Sequence, residues 1–321
     1  LKEAIDSVLA QTFTDFELIV LNDGSTDKTE EIILSYNDDR LVYVKNEQNL
    51  GLIGTLNKGM TLAKGKYIAR MDADDICFPE RFAKQVEFLE NNHDYVICGT
   101  SAYRFYNHIA DGNAFHVPLS DESIRVRLFF NSGFIHPSVM FRSSVISDYN
   151  LGFSIDYKYA EDYFFWMDLL KYGKGFNLKE KLLYYRVVGT SQTAVGNSNV
   201  EERKKIIGNI HRRYFSDHKI SVDHKEIELN FYLTNITRMK LLDLQQFDFV
   251  YIARFLQKIM FALKKSGLSN KAIYEEVGKV YFALIYTKKM KVFASKGFVK
   301  NLNPILLFNG GFGFVKDRIV K

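Results

Sequence analysis

Apolar and polar positions change period several times along the first hundred residues, and each change marks an element. Residues 1–9 read as a helix, 16–21 as a buried strand, 28–36 as a second helix and 41–45 as a second strand. A helix over 52–63 leads into the apolar run 66–71, which reads as a strand. Pro79 suits a first helical position and opens a helix to about residue 90, followed by a short strand over 95–98. Residues 102–117 read as a hairpin around Asp111-Gly112-Asn113. Helices alternating with strands are the pattern of βαβ units, so this part of the chain is expected to be α/β with a parallel sheet. The stretch 189–199, rich in Gly, Ser, Thr and Asn, reads as a linker into a mostly helical remainder without internal repeats.

Two of these strands end in acid. Asp72-Ala73-Asp74-Asp75 follows the run 66–71, and Asn22-Asp23-Gly24-Ser25-Thr26-Asp27 follows 16–21. Continued as extended chain, the first motif would send Asp72 and Asp74 to one side and Asp75 to the other. A pair of carboxylates pointing one way suits a hard divalent cation such as Mg²⁺ or Mn²⁺, whose shell substrate phosphates and water complete. In an open α/β sheet, ligands sit outside the carboxyl ends of the parallel strands, where both acidic turns would face one crevice. The plainer reading is a solvated Asp-rich loop and, at 22–27, a turn in which Gly24 takes positive φ and Ser25 or Thr26 caps the next helix.

The order of the motifs goes further. Ser7-Val8-Leu9-Ala10-Gln11-Thr12-Phe13, Phe16-Glu17-Leu18-Ile19-Val20 and the turn from Asn22 to Asp27 come first. Asn49-Leu50-Gly51-Leu52, Leu56-Asn57-Lys58-Gly59 and the segment from Ala63 to Asp75 follow, then Pro79-Glu80-Arg81-Phe82 with Gln85. Last come the segment from Ile135 to Arg142, Glu161-Asp162-Tyr163 with Trp166, and Leu183-Tyr184-Tyr185-Arg186. In this order and spacing the chain resembles the family 2 glycosyltransferases of the GT-A fold over residues 1–195. The resemblance implies an inverting, metal-dependent transferase that takes a nucleotide-sugar, a UDP-sugar by expectation, and acts in bacterial surface-polysaccharide synthesis.

Carried over residue by residue, the resemblance places Asp23 at the nucleotide base, Asp72 at the ribose and Asp74 on the metal. Asp75 supports the turn, with a part in donor binding as the alternative. Asp162 is the candidate general base. Glu161, His136, Trp166 and Arg186 are candidates for the acceptor or donor cleft. Each has a structural alternative: a helix N-terminus for the acidic pair, core packing for His136 and Trp166, a surface ion pair for Arg186. Three departures from the family pattern stand out. Family members begin with an apolar strand and a Pro-x-Tyr-like turn, so a first strand is expected to be missing here. Val188 occupies the position where many relatives carry a His that assists the metal. No Gln-x-x-Arg-Trp motif of the processive synthases occurs, which favours transfer of a single sugar to a glycan or lipid-linked acceptor. A catalytically silent sugar-nucleotide or glycan-binding module is the alternative.

Charge divides the chain. Residues 200–321 hold 23 Lys and Arg against 11 Asp and Glu, leaving 20 against 27 in residues 1–199. The expected division is therefore a catalytic domain at 1–195 and a basic, aromatic helical domain at 200–321. The basic half suggests an anionic membrane surface, and a basic helix interleaved with aromatics over 279–300 is the candidate contact. Nucleic acid ranks lower, because no helix-turn-helix, zinc or RNP-like pattern accompanies the charge. Two cysteines, Cys77 and Cys98, make no disulfide framework or zinc pattern. With no secretory signal and no apolar run long enough to span a bilayer, the expected location is the cytoplasm, extending to a peripheral place on the inner face of the membrane.

Overall fold

A computed structural model describes residues 1–189, 192–234 and 246–287. In chain order the elements are α1 (Lys2–Leu9), β1 (Leu18–Asn22), α2 (Thr29–Leu34), β2 (Leu41–Lys45), α3 (Gly51–Leu62), β3 (Tyr67–Ala69), β4 (Ile76–Cys77), α4 (Arg81–Asn91), β5 (Tyr95–Phe105), β6 (Asn113–Phe115), α5 (Asp121–Arg127), β7 (Met140–Arg142), α6 (Ser143–Tyr149), α7 (Glu161–Leu169), β8 (Lys174–Arg186), α8 (Gln192–Ser198), α9 (Val200–Asp217), α10 (His224–Thr234), α11 (Phe249–Lys265) and α12 (Asn270–Thr287). They form two compact units, one of residues 1–119 and 134–195, the other of 120–133 and 196–321.

The first unit holds both sheets. β1 and β2 pair in parallel, and a larger mixed sheet runs β3-β7-β5-β8-β4, with β6 on β5. Parallel pairing is confined to β1–β2 and β5–β8, while β3–β7, β5–β7, β4–β8 and β5–β6 are antiparallel. The all-parallel sheet expected from the helix–strand alternation is thus replaced by a mixed one. Hairpins and returns such as β5–β6 need no crossover helix, and alternation alone does not reveal them.

The core of this sheet is tied together by polar side chains that the sequence motifs carried. Arg81 is fully buried, and its guanidinium donates to the carbonyls of Arg70 (2.8 Å) and Val139 (3.2 Å) and to Gln85 Oε1 (3.1 Å). Gln85 Nε2 donates to the carbonyls of Cys98 and Ser138 (2.5 and 2.9 Å), and Gln11 bridges Phe78 O and the Phe82 amide. Buried backbone acceptors at strand ends cost free energy unless paired, and one planar five-donor group satisfies several of them. These bonds fix the end of β3, from which the acidic turn departs.

Several expected boundaries move. The strand expected over 66–71 is ordered only from Tyr67 to Ala69, whereas the strand expected over 95–98 extends to Phe105. The helix expected from Pro79 begins at Arg81, and 189–199 contains α8 instead of being all linker.

The second unit is helical. Phe129, from the inserted segment 120–133, packs edge-on to Tyr214 (4.6 Å) and Phe215 (5.3 Å) of α9, and its carbonyl accepts from Asn230 of α10 (2.7 Å). Arg127 of α5 meets buried Glu276 of α12 at 2.6 Å, and Lys279 meets it at 2.8 Å. Burial opposes charge on Glu276, but the two cations outweigh it and hold the carboxyl below its usual range. The segment 120–133, expected with the catalytic half, packs instead with these helices because its apolar positions Ile124, Val126, Leu128 and Phe129 are buried in their core. Among the described residues no helix is long and apolar enough to cross a membrane. The candidate contact helix at 279–300 lies outside the described residues beyond Thr287.

Candidate active site

Every candidate residue lies in the first unit. After β3 the chain turns tightly, with the Asp75 amide bonding back to the Asp72 carbonyl at 3.3 Å. The turn overturns the expected alternation: Asp75 does not point away from Asp72 and Asp74, since a carboxylate oxygen from each of the three lies within 4.8 Å of the others. Gathering three carboxylates is unfavourable, and the surroundings compensate only part of it. Arg70, nearly buried, forks onto Asp72 with contacts of 2.6 and 2.5 Å, the planar bidentate geometry of a strong pair. Asp74 and Asp75 have no such partner. Burial, and then the charge of Asp72, raises the Asp74 carboxyl above its usual range and pushes Asp75 up to about 8. Asp75 is 0% exposed; its Oδ1 accepts from the Arg186 amide (2.8 Å), while its Oδ2 is buried without a hydrogen bond.

That orphaned oxygen beside Asp74 tests whether a cation fits. The donors are hard oxygens, they converge, and among the described residues they are the group able to hold a metal ion. A divalent cation would supply the missing partner for Asp74 and Asp75 at once.

Arg186 makes the surface ion pair that was its structural alternative, with Glu3. Its Nε donates to the Asp74 carbonyl (2.8 Å), its Nη2 pairs with Glu3 (2.9 Å), and its guanidinium lies 4.5 Å from the Phe105 ring centre. Through its Nε and its own amide, Arg186 ties the acidic turn to the end of β8.

The helix α7 brings the second acidic pair. Glu161 is 5% exposed, and burial, then Asp162, pushes its carboxyl up to about 7. Half-buried Asp162 is the more accessible of the two. Tyr185 joins the pair to the turn: burial, then Asp72 and Asp75, with Asp162 adding to them, pushes its phenol up to about 12. One electrostatic neighbourhood therefore includes Asp72, Asp75, Arg70, Asp162 and Tyr185.

His136 sits beside this neighbourhood, its ring 5.6 Å from Phe153 and 5.7 Å from Trp166, with a buried Nε2 that makes no hydrogen bond. Burial, then the Arg70 charge, holds its pKa well below the usual value, so the ring is neutral. Trp166 is a correction. It is 0% exposed within a cluster of Phe134, Phe141, Phe153 and Phe165, and a ring without an open face cannot stack on a sugar.

Asp23 is built in differently. Its Oδ1 accepts from Asn46 Nδ2 (2.8 Å) and the Leu50 amide (2.7 Å) at the start of α3, and its carbonyl accepts from Asn49 (2.8 Å). Burial works against its charge, but the bonds from Asn46, Leu50 and Thr55 outweigh it and lower the carboxyl's pKa. None of these bonds links Asp23 to the acidic turn. In the preceding turn Asn22 Oδ1 accepts from the amides of Gly24 (φ +90°) and Ser25, and Asp27, not Ser25 or Thr26, accepts from the Thr29 amide that opens α2. A cavity of about 650 Å³ elsewhere in the unit, lined by Asn57, Met60, Ile68, Ser147 and Leu151 among others, touches none of the candidate residues. Chemistry, not cavity size, locates this site.

Two members of the neighbourhood, Arg70 and Tyr185, were not singled out as site residues by sequence reasoning. Both lie inside quoted motifs, and the available signal was a cation two residues before the first Asp of the acidic turn and a phenol next to Arg186.

Comparison with known proteins gives the family. The family model for Glycosyl transferase family 2 matches residues 1–149. An uncharacterized glycosyltransferase of Haemophilus influenzae is 35% identical over 242 residues, covering 70% of this chain and 72% of that protein. The amylovoran biosynthesis glycosyltransferase AmsE of Erwinia amylovora is 31% identical over 175 residues, covering 54% and 65%. The chain belongs to glycosyltransferase family 2. Among solved structures, S. aureus TarS 1-349 in complex with UDP-GlcNAc aligns at TM-score 0.54 and 16% identity, over 97% of this chain and 86% of that one. Against a longer TarS chain the match spans 51% of its length. The mannosyltransferase PcManGT of Pyrobaculum calidifontis, in complex with GDP-Man and Mn²⁺, aligns at 0.52 and 13%, over 99% and 83%. At such identities these structures establish the GT-A fold alone.

Proposed function

We propose that the protein transfers a single sugar, with inversion, from a nucleotide-diphosphate donor to a hydroxyl of a glycan or lipid-linked acceptor in surface-polysaccharide synthesis. The donor in this reading is a UDP-sugar. The observation that carries it is the cluster of Asp72, Asp74 and Asp75 carboxylates, in which a buried oxygen of Asp75 has no hydrogen bond. AmsE's role in amylovoran biosynthesis and the nucleotide-sugars bound to TarS and PcManGT support the substrate class.

In this reading Asp74, with the orphaned oxygen of Asp75, would hold Mn²⁺ or Mg²⁺. The bound cation would offset negative charge on the departing nucleotide diphosphate. Asp72, oriented by Arg70, accepts from the ribose, and Asp23 contacts the base through the oxygen not bonded to Asn46 and Leu50. Asp162 takes the proton of the acceptor hydroxyl as that oxygen attacks the anomeric carbon opposite the leaving diphosphate. A new carbon–oxygen bond forms, the old one breaks, and the proton rests on Asp162. Glu161 keeps its own proton until about pH 7, which removes it from competition for the base role below neutrality. The basic part of the chain places the enzyme at an anionic membrane surface, where a lipid-linked acceptor would reside.

Asp162→Asn tests the assignment. Transfer should fall about 10²–10⁴-fold while donor binding, read as a thermal shift with UDP-sugar and Mn²⁺, is retained. Undiminished transfer by that variant would remove Asp162 from the mechanism. A panel of UDP-, GDP- and dTDP-sugars in the same assay identifies the nucleotide.

A further inference from the structure

The outward face of α11 has a composition that the transfer reaction does not use. The helix buries Ile252, Ala253, Phe255, Leu256, Ile259 and Leu263 in the second unit. Its opposite stripe, spaced by three, four, three and one residues, exposes Arg254, Gln257, Phe261, Lys264 and Lys265. Phe261 is 72% exposed, more than any other large hydrophobic side chain among the described residues. Residues 249–274 contain five cations, Arg254, Lys258, Lys264, Lys265 and Lys271, and no Asp or Glu.

Some of these charges have ordinary uses. Lys258 is engaged by Glu226 (2.7 Å), and lysines at a helix C-terminus favour the helix dipole. Lys264 donates to the Tyr274 phenol (2.8 Å), a contact that leaves its charge uncompensated. None of these uses accounts for a protruding phenylalanine in one helical stripe with Arg254, Lys264 and Lys265. One aromatic ring is too little apolar area for the core of a protein–protein interface. It is enough for a ring that enters the boundary between headgroups and acyl chains while the neighbouring cations meet lipid phosphates.

We propose that this face of α11 is a docking surface for anionic lipid, with Phe261 inserted and Arg254, Lys264 and Lys265 on the headgroups. The proposal rests on the reading that the enzyme works at a membrane surface and names the residues that hold it there. It places the contact on α11, upstream of the stretch 279–300 that the sequence pattern suggests.

The test is co-flotation of the full chain with phosphatidylcholine vesicles, with and without phosphatidylglycerol, at low and high salt. The wild type should bind only the anionic vesicles and release them at high salt. Arg254→Gln/Lys264→Gln/Lys265→Gln should weaken binding about 100-fold, since each cation near the surface contributes about five-fold. Phe261→Ser should weaken it about ten-fold. All four positions are exposed, so thermal stability and sugar transfer to a soluble acceptor should be unchanged and show that the variants fold. Anionic-vesicle binding that survives both variants overturns the α11 assignment but leaves the membrane reading intact. Failure of the wild type to bind any vesicle overturns both, and equal binding to neutral vesicles overturns the charge argument. A face that binds a single-stranded RNA oligonucleotide but no vesicle, and loses it in the same variants, identifies nucleic acid instead and overturns the lipid proposal.

Discussion

Two strands of the catalytic unit end in acid, and the protein treats them in opposite ways. At the end of β1, Asp23 is enclosed by donors from Asn46 and the start of α3, and its carboxyl falls below its usual range. At the end of β3, Arg70 serves Asp72 alone, and Asp74 and Asp75 are left with carboxyls raised by burial and then by the Asp72 charge. The same residue type is a finished joint in one place and an unbalanced charge in the other. Hydrogen bonds supplied by the fold favour the ionised carboxylate of Asp23, whereas burial and crowding favour the protonated form of Asp75, so that ionising it calls for a compensating positive charge.

Breaking the unbalanced end should have the largest effect. Asp74→Asn is expected to lower transfer by about 10³-fold and to abolish the thermal shift produced by Mn²⁺, without loss of stability in the metal-free protein. Retained Mn²⁺ stabilisation in that variant would move the metal off Asp74.

The pH dependence of stability comes next. An unfolded Asp loses its proton near pH 4, whereas Asp75 in the fold keeps it until about 8. The native state therefore binds more protons in that window, and metal-free stability falls as pH rises through it, levelling off above about 8. Glu161, raised to about 7, adds in the same direction. Melting in EDTA should be higher at pH 5 than at pH 8.5, Asp75→Asn should flatten the slope, and Mn²⁺ should restore stability at the alkaline end. A slope identical in wild type and Asp75→Asn would contradict the crowding argument.

Effects at the finished joint should be smaller and purely structural on the metal side. Asp23→Ala removes the acceptor at the start of α3 and should cost about 1 kcal/mol, with the Mn²⁺ shift unchanged. Smallest of all, Glu161→Gln should change transfer by less than about ten-fold, in contrast to Asp162→Asn. Equal losses from the two would show that the buried acid, not the accessible one, carries the proton.

Much of this was legible residue by residue. The α/β character, the hairpin at Asp111-Gly112-Asn113 and the family followed from period, turn chemistry and the order of motifs. The roles of individual motif residues were less legible. Arg81 and Gln85 read as part of a donor-site segment, yet they clamp backbone carbonyls just after β3, within β5 and just before β7, because which acceptors a buried donor meets depends on strands distant in sequence. Trp166 read as a possible ligand platform and is a core residue for the same reason.

By itself the sequence determined which side chains follow each strand, the local period of each element and the division of charge along the chain, since these depend on neighbours a few residues apart. Only the tertiary structure decided that Asp75 turns toward Asp74 and that Arg70 satisfies Asp72 and not its neighbours. Burial and long-range donors set whether a carboxylate is at rest or in need of a partner, and both are properties of packing that no local pattern contains.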